Sequence, residues 1–335
     1  MPFSGAFANL ARMNRRFSLM PTHLAMAVLA LAAAPLWAQQ QQQQWPTAVT
    51  AVPTANPNAD KPGASAFHVG ESVSVDESYV GDSHVRNGHT GLGDGLGESL
   101  FKFDYKASVP VSKQMVVEGV LGYHRFDFGS TTGSLTPQNL QSVGVGAGIG
   151  YKIDDNWSLL GSFTPEFQEV NGWNGSTYVH LTGGAGATYT WNPDLSLTFG
   201  LVASPGAFNT PVLPMASLKW RFADKWTLVA GLPRTSLTYA LCDKVNLWGA
   251  ASIEGGEFKT GDNYGTAAGR PDLNDRKLDY TEVRVGVGAD YKLCPALTLT
   301  GELGSAVYRD FAFEHNNKIK ADPSVLAELG IKTCF

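Results

Sequence analysis

The residues with most chemical capacity in this sequence are acids and bases set at every second position of otherwise apolar stretches. Between Asp279 and Lys292, Glu282, Arg284 and Asp290 share one face of an extended chain, while Val283, Val285 and Val287 share the other. The same spacing puts Lys102, Asp104 and Lys106 opposite Phe101, Phe103 and Tyr105. It also assigns Asp76, Glu118, His124, Glu166, His180, Lys219, Arg221, Glu254, Glu302, Glu328 and Lys332 to the polar face of their own stretches. An isolated charge in a dry interior costs several kcal/mol, so a common inner face carrying both signs must be ion-paired or wet. Two interiors satisfy that condition: a water-filled passage, or a closed lumen laced by salt bridges. The passage ranks first, because about fourteen strands enclose more space than side chains fill.

No other constellation competes with this one. His84, His89, Asp82 and Asp94 lie in one polar loop, but no spacing among them supplies a nucleophile, a base and an orienting group, so no enzymatic activity is expected. Gly91 to Gly97 reads as a flexible loop rather than a nucleotide site. Gly144, Gly146, Gly148 and Gly150 fall on one inner face, with no Lys-Ser/Thr following, and make room or let a sheet bend. Asp272-Leu-Asn-Asp275 departs from the calcium-loop pattern. No cofactor, metal or nucleic acid is expected.

The elements that must position the inner face are strands. Alternation interrupted by turns predicts strands near 69–79, 97–109, 114–128, 140–153, 157–168, 177–191, 195–205, 212–222, 226–232, 235–241, 245–255, 279–293, 297–310 and 324–335. The connections alternate between short and long. Ile153-Asp-Asp-Asn-Trp157, Trp191-Asn-Pro-Asp-Leu195, Phe222-Ala-Asp-Lys-Trp226, Leu241-Cys-Asp-Lys-Val245 and Leu293-Cys-Pro-Ala-Leu297 repeat one scheme of three turn formers between apolar anchors, and Pro110 to Lys113 is a sixth short turn. The segments 80–96, 129–139, 169–176, 206–211, 256–278 and 311–323 read as loops. Short turns on one side and long loops on the other predict an all-β, transmembrane, antiparallel up-and-down β-barrel, with short periplasmic turns, long extracellular loops and both termini in the periplasm. Pro233-Arg234 is a tight connection where a loop belongs, so twelve spanning strands remain an alternative to fourteen.

Composition agrees with that class. Of 335 residues, 43% are hydrophobic and only 16% charged, below the quarter or so usual for soluble domains, and no apolar run after the N-terminal region is long enough for a membrane helix. Arg12, Arg15 and Arg16 followed by Leu24 to Leu31 and Leu36-Trp37-Ala38 predict a signal peptide over 1–38, whose loss would take the net charge from −5 to −8 by removing three arginines. Residues 39–67, opening on a Gln run and rich in Pro, read as a disordered linker, leaving 68–335 as the barrel.

The stretch Ser324 to Phe335 alternates and ends on an apolar-face Phe335. It resembles the C-terminal signal of bacterial outer-membrane barrels, which implies recognition by the barrel-assembly machinery and an outer-membrane lipid environment. With Gly231 to Tyr239 and Asp279 to Gly288, it is similar to bacterial outer-membrane barrels grouped as a domain-of-unknown-function family, distantly porin-like. That resemblance implies a fold and a location and carries no catalytic residues. Passage of small solutes is the expected function; the alternative is a non-conducting barrel whose loops bind a ligand or partner, or a structural component of the membrane. Oligomeric state is open. Cys242, Cys294 and Cys334 gather on the turn side, where Cys294 with Cys334 is the favoured bridge, Cys242 with Cys294 the other, and three free thiols the third possibility.

Overall fold

The computed structural model describes residues 70–87, 95–129, 135–172, 177–208, 211–267, 269–315 and 317–335. The expected leader and linker lie outside the described residues, as do His89 and Asp94. Sixteen strands run in chain order: β1 (Gly70–Val80), β2 (Val85–Asn87), β3 (Glu98–Pro110), β4 (Met115–Phe128), β5 (Asn139–Lys152), β6 (Trp157–Val170), β7 (Tyr178–Asn192) and β8 (Leu195–Ala203), then β9 (Val212–Ala223), β10 (Trp226–Gly231), β11 (Arg234–Cys242), β12 (Val245–Lys259), β13 (Lys277–Cys294), β14 (Leu297–Phe313), β15 (Asn317–Ala321) and β16 (Ser324–Cys334). Fourteen of them form a closed antiparallel circuit, with β13 paired to β14 and β1 paired to β16. The fourteen-strand alternative therefore holds over twelve. β2 and β15 are additions, a ribbon attached to the end of β14 inside segments expected to be loops.

Alternation decides which face meets lipid. Val145, Ile149, Phe163, Leu201, Val287, Leu303 and Leu329 are all exposed large hydrophobics, while their chain neighbours point to the interior. The turn end is belted by aromatic contacts, among them Trp157 with Tyr189 at 4.8 Å, Tyr189 with Trp191 at 4.6 Å and Trp226 with Tyr239 at 4.8 Å between ring centroids. The tight turns follow from their Asp and Asn residues. The Asp154 carboxylate accepts from the amides of Asn156 (2.8 Å) and Trp157 (2.7 Å), and Asn192 accepts from the Asp194 amide at 2.9 Å.

The loop end departs from an even cylinder. β10 ends where Gly231 meets Ser217, and β11 begins where Arg234 meets Ser252, so β9 and β12 both continue past that hairpin. β8 stops at Ala203 opposite Gly183, leaving Tyr178 to Thr182 of β7 without it. β12 takes up the open place: Cα atoms of β12 come within 8 Å of Cα atoms on β6 and β7, across the interior. Gly255, at φ 127°, lies where β12 leaves its even course, a conformation that excludes other residues. Segment 256–278 is thus strand at both ends, and a short helix, α1 (Tyr264–Ala267), lies between.

Candidate functional site

The interior divides into layers. At the turn end Lys219, Arg221 and Lys332 sit on inward positions and remain exposed. Arg221 bonds Asp194 of the β7–β8 turn. Asp290 accepts from the Trp248 indole at 3.2 Å and from Thr300 at 3.0 Å, and the Arg234 guanidinium lies 4.3 Å above the Trp248 ring.

Farther in, charges pair. Lys106 meets Glu118 at 2.9 Å, and His124 meets Asp104 at 3.2 Å. Lys102 of β3 meets Glu254 of β12 at 3.3 Å across the interior. Arg284 is the hub of the layer: its guanidinium bonds Glu282, Glu328 at 3.1 Å and Ser78 at 3.0 Å, with Glu98 at 3.5 Å. Arg284 is 2% exposed, so these carboxylates substitute for water around a buried cation. Space for them comes from glycine. A Cβ on Gly330 would collide with the Asp76 carboxylate, and one on Gly144 would stand 3.3 Å from the Glu166 side chain. The inward glycines of β5 therefore make room, as their spacing predicts.

The loop end is apolar. Tyr280 packs between Phe126 and Phe128, each 5.2 Å away, and Phe311 at 4.6 Å, and Leu100, Leu140 and Phe313 belong to the same buried cluster. The Tyr280 hydroxyl donates to Glu98 and, at 3.1 Å, to Glu282, joining the aromatic layer to the charged one. Arg309 closes the layer by donating to the Leu96 carbonyl at 3.3 Å and to Ser83. Tyr264 of α1 donates to the Leu135 carbonyl at 2.6 Å and lies 6.0 Å from Phe313. Burial among these groups raises its hydroxyl pKa above the ordinary phenol value.

A fourth cluster lies where β12 leans on β7. Glu257 accepts from the Tyr178 hydroxyl at 3.2 Å and the Phe208 amide at 3.1 Å, and Lys277 stands 3.5 Å away. His180 is there too, bonded to Ser204 at 2.9 Å.

Most sequence-predicted residues face the interior, but they do not form one set. Glu282, Arg284 and Glu328 are bonded together, whereas Glu302 stays outside that ion-paired group, opposite Glu328 in register and lying over Gly286. The inner wall carries both expected features, exposed charges at the turn end and, at the loop end, charge pairs and aromatic rings that draw the wall together. The reason is the inward lean of β12, which narrows what fourteen strands would otherwise enclose. Glu98, Arg309, Ser204 and Glu257 were missed, and Tyr280 was placed on the inner face without a role. Tyr280 shares parity with Glu282, which was a usable signal, while Arg309 and Phe311 turn inward only because a bulge between the pairs Val283–Tyr308 and Arg284–Ala306 shifts the parity of β14. Cys242, Cys294 and Cys334 are exposed free thiols, so neither expected bridge is formed. The Cys334 amide donates to the Ala296 carbonyl at 2.9 Å, which sets Cys334 two residues beyond Cys294 along the turn.

A closed circuit, an apolar outer face, an aromatic belt and an ion-lined interior define a transmembrane β-barrel of the outer-membrane type. The chain belongs to the family described as a domain of unknown function, DUF6268, whose model matches residues 68–321. No curated protein matches it. Among solved structures it is similar to a deltaS2 mutant of the TodX monoaromatic hydrocarbon channel (9% identity, 81% of this chain and 92% of that one, TM-score 0.48). Others are an outer membrane channel from Pseudomonas putida F1 (11% identity, 82% and 99%, TM-score 0.46) and a Pseudomonas aeruginosa FadL homologue (10% identity, 81% and 92%, TM-score 0.46).

Proposed function

We propose that the protein is an outer-membrane channel for small solutes, held shut in this conformation at its loop end, with its turns in the periplasm and its loops outside. The observation that carries this reading is the gradient along the inner wall. Lys219, Arg221 and Lys332 stay exposed at the turn end, and the wall then closes on the cross-lumen pair of Lys102 with Glu254 and the rings around Tyr280. A charged layer against an apolar one is a barrier that small movements of β12 would remove, because one strand supplies Glu254 and Phe258 together. Reconstituted in a planar bilayer, the wild-type protein is expected to give rare, small conductance steps, and Lys102→Met with Glu254→Gln larger or more frequent ones. Absence of steps from both, with the folded barrel retained on a gel, overturns the channel.

The buried cluster itself favours a second reading, a non-conducting barrel whose loop-end elements bind a ligand or partner. The same recording separates the two, since that barrel stays silent when the Lys102–Glu254 pair is removed.

A further inference from the structure

The geometry points to a nucleophile relay of Ser204, His180 and Glu257 at the loop-end seam, one that hydrolyses short-chain carboxylic esters entering from the loop side. Three segments distant in sequence build it. β7 directs Val179 and Leu181 outward, where both are exposed, and so turns His180 and Thr182 to the interior. Ser204 follows β8 directly and lies on the inward side with Val202. β12, leaning in beyond Gly255, brings Glu257 against His180.

The distances follow the order of a relay. Ser204 Oγ lies 2.9 Å from His180 Nε2, and His180 Nδ1 lies 3.8 Å from Glu257 Oε1. Thr182 Oγ1, 3.3 Å from the same serine oxygen, holds the hydroxyl from its other side. Glu257 is aimed by the Tyr178 hydroxyl and the Phe208 amide, and Lys277 ties the serine turn to it by donating to the Gly206 carbonyl while standing 3.5 Å from Oε1. The serine backbone is fixed, its amide donating to the Pro211 carbonyl at 2.8 Å and its carbonyl accepting from Ala207 at 3.0 Å. Ser204 is partly exposed, so a substrate carbonyl can reach it, whereas His180 is 2% and Glu257 7% exposed.

A purely structural histidine fits less well. The bond to Ser204 satisfies Nε2, but Nδ1 is buried without a hydrogen-bond partner, which costs stability unless a group serves it. The group that faces it is a carboxylate, and in free enzymes such bonds are often long and shorten on substrate binding.

In the reaction, Ser204 Oγ attacks the ester carbonyl carbon as its proton passes to His180 Nε2. The carbon–oxygen bond to the alcohol breaks, and the alcohol leaves with that proton, giving acyl-Ser204. Water then attacks the acyl carbon and yields a proton to Nε2; the bond to Oγ breaks, Oγ recovers the proton, and the carboxylic acid departs. Glu257 accepts from Nδ1–H and stabilises the imidazolium of both steps. Val202 is buried on the same face two residues before Ser204, so an acyl chain there would meet an apolar wall.

The test is labelling of the folded full-length protein with a fluorophosphonate probe, with peptide mapping, beside hydrolysis of p-nitrophenyl butyrate. Label on Ser204 is expected, absent from Ser204→Ala, with hydrolysis falling about a hundredfold or more in that variant and in His180→Gln. Glu257→Gln is expected to lower kcat while leaving KM near its original value. Heat-modifiable migration confirms that each variant is folded. No label on Ser204 in folded wild-type protein, or hydrolysis unchanged in Ser204→Ala, overturns the relay.

Discussion

Lys102 and Glu254 meet at 3.3 Å although β1, β16, β14 and β13 separate their strands on the shorter way round the barrel. A lysine and a glutamate span so wide a circuit only where the walls come together, so this pair marks the waist of the interior. Reversing one charge, as in Lys102→Glu, sets two carboxylates face to face and is expected to lower stability, while Lys102→Glu with Glu254→Lys restores most of it. Urea midpoints of the single and double variants, compared as a cycle, check this.

Among the described residues Arg284 is the one cation bonded to both Glu282 and Glu328, and it stands 3.5 Å from Glu98. Arg284→Met leaves Glu282 and Glu328 buried without their cation, with an expected loss of about 3–5 kcal/mol, read from the unfolding midpoint of the heat-modifiable band.

Phe311 lies at the centre of the aromatic layer, 4.6 Å from Tyr280 and 5.1 Å from Phe128. Phe311→Ala is expected to cost about 3–5 kcal/mol by the same measurement. An unchanged midpoint would mean that this layer does not close the loop end.

Leu329 is 75% exposed at the middle of β16, on the side away from Glu328. Leu329→Arg is expected to cost about 2–4 kcal/mol in lipid, whereas a soluble barrel would tolerate it. Folding yields in bilayers and in detergent distinguish the two.

Phe335 exchanges backbone bonds with Glu71, donating at 2.8 Å and accepting at 3.3 Å, and its ring is 76% exposed. Deleting it removes the terminal rung between β16 and β1, and a several-fold lower level of assembled barrel is expected by quantitative gel of membrane fractions.

The strands and their faces were legible because lipid on one side and water or charge on the other force a period of two on every spanning segment, as in Val283 to Asp290. What escaped depends on departures from that period. The shift in β14 at Val307 sends Arg309 and Phe311 inward against simple alternation, and nothing in Ala306-Val-Tyr-Arg309 announces it. The place of Glu257 was hidden for another reason. It depends on where β8 and β11 stop relative to β7 and β12, which is a property of the whole circuit. Ser204, His180 and Glu257 therefore carry no common spacing, and His180 was visible only as one inward residue among many.

The pairing of β1 with β16 joins the two strands that lie farthest apart along the chain. Every other wall pair joins strands consecutive in the chain, apart from the small β2 and β15 insertions, and can form soon after its second strand. The β1–β16 seam has no such local route. Its loop-closure entropy is paid only when almost the entire wall is in place, so the barrel's contact order is concentrated in one seam. Until that seam forms, β1 and β16 both expose unpaired backbone edges, and the time spent in that open state is the interval in which the chain can pair with the wrong partner.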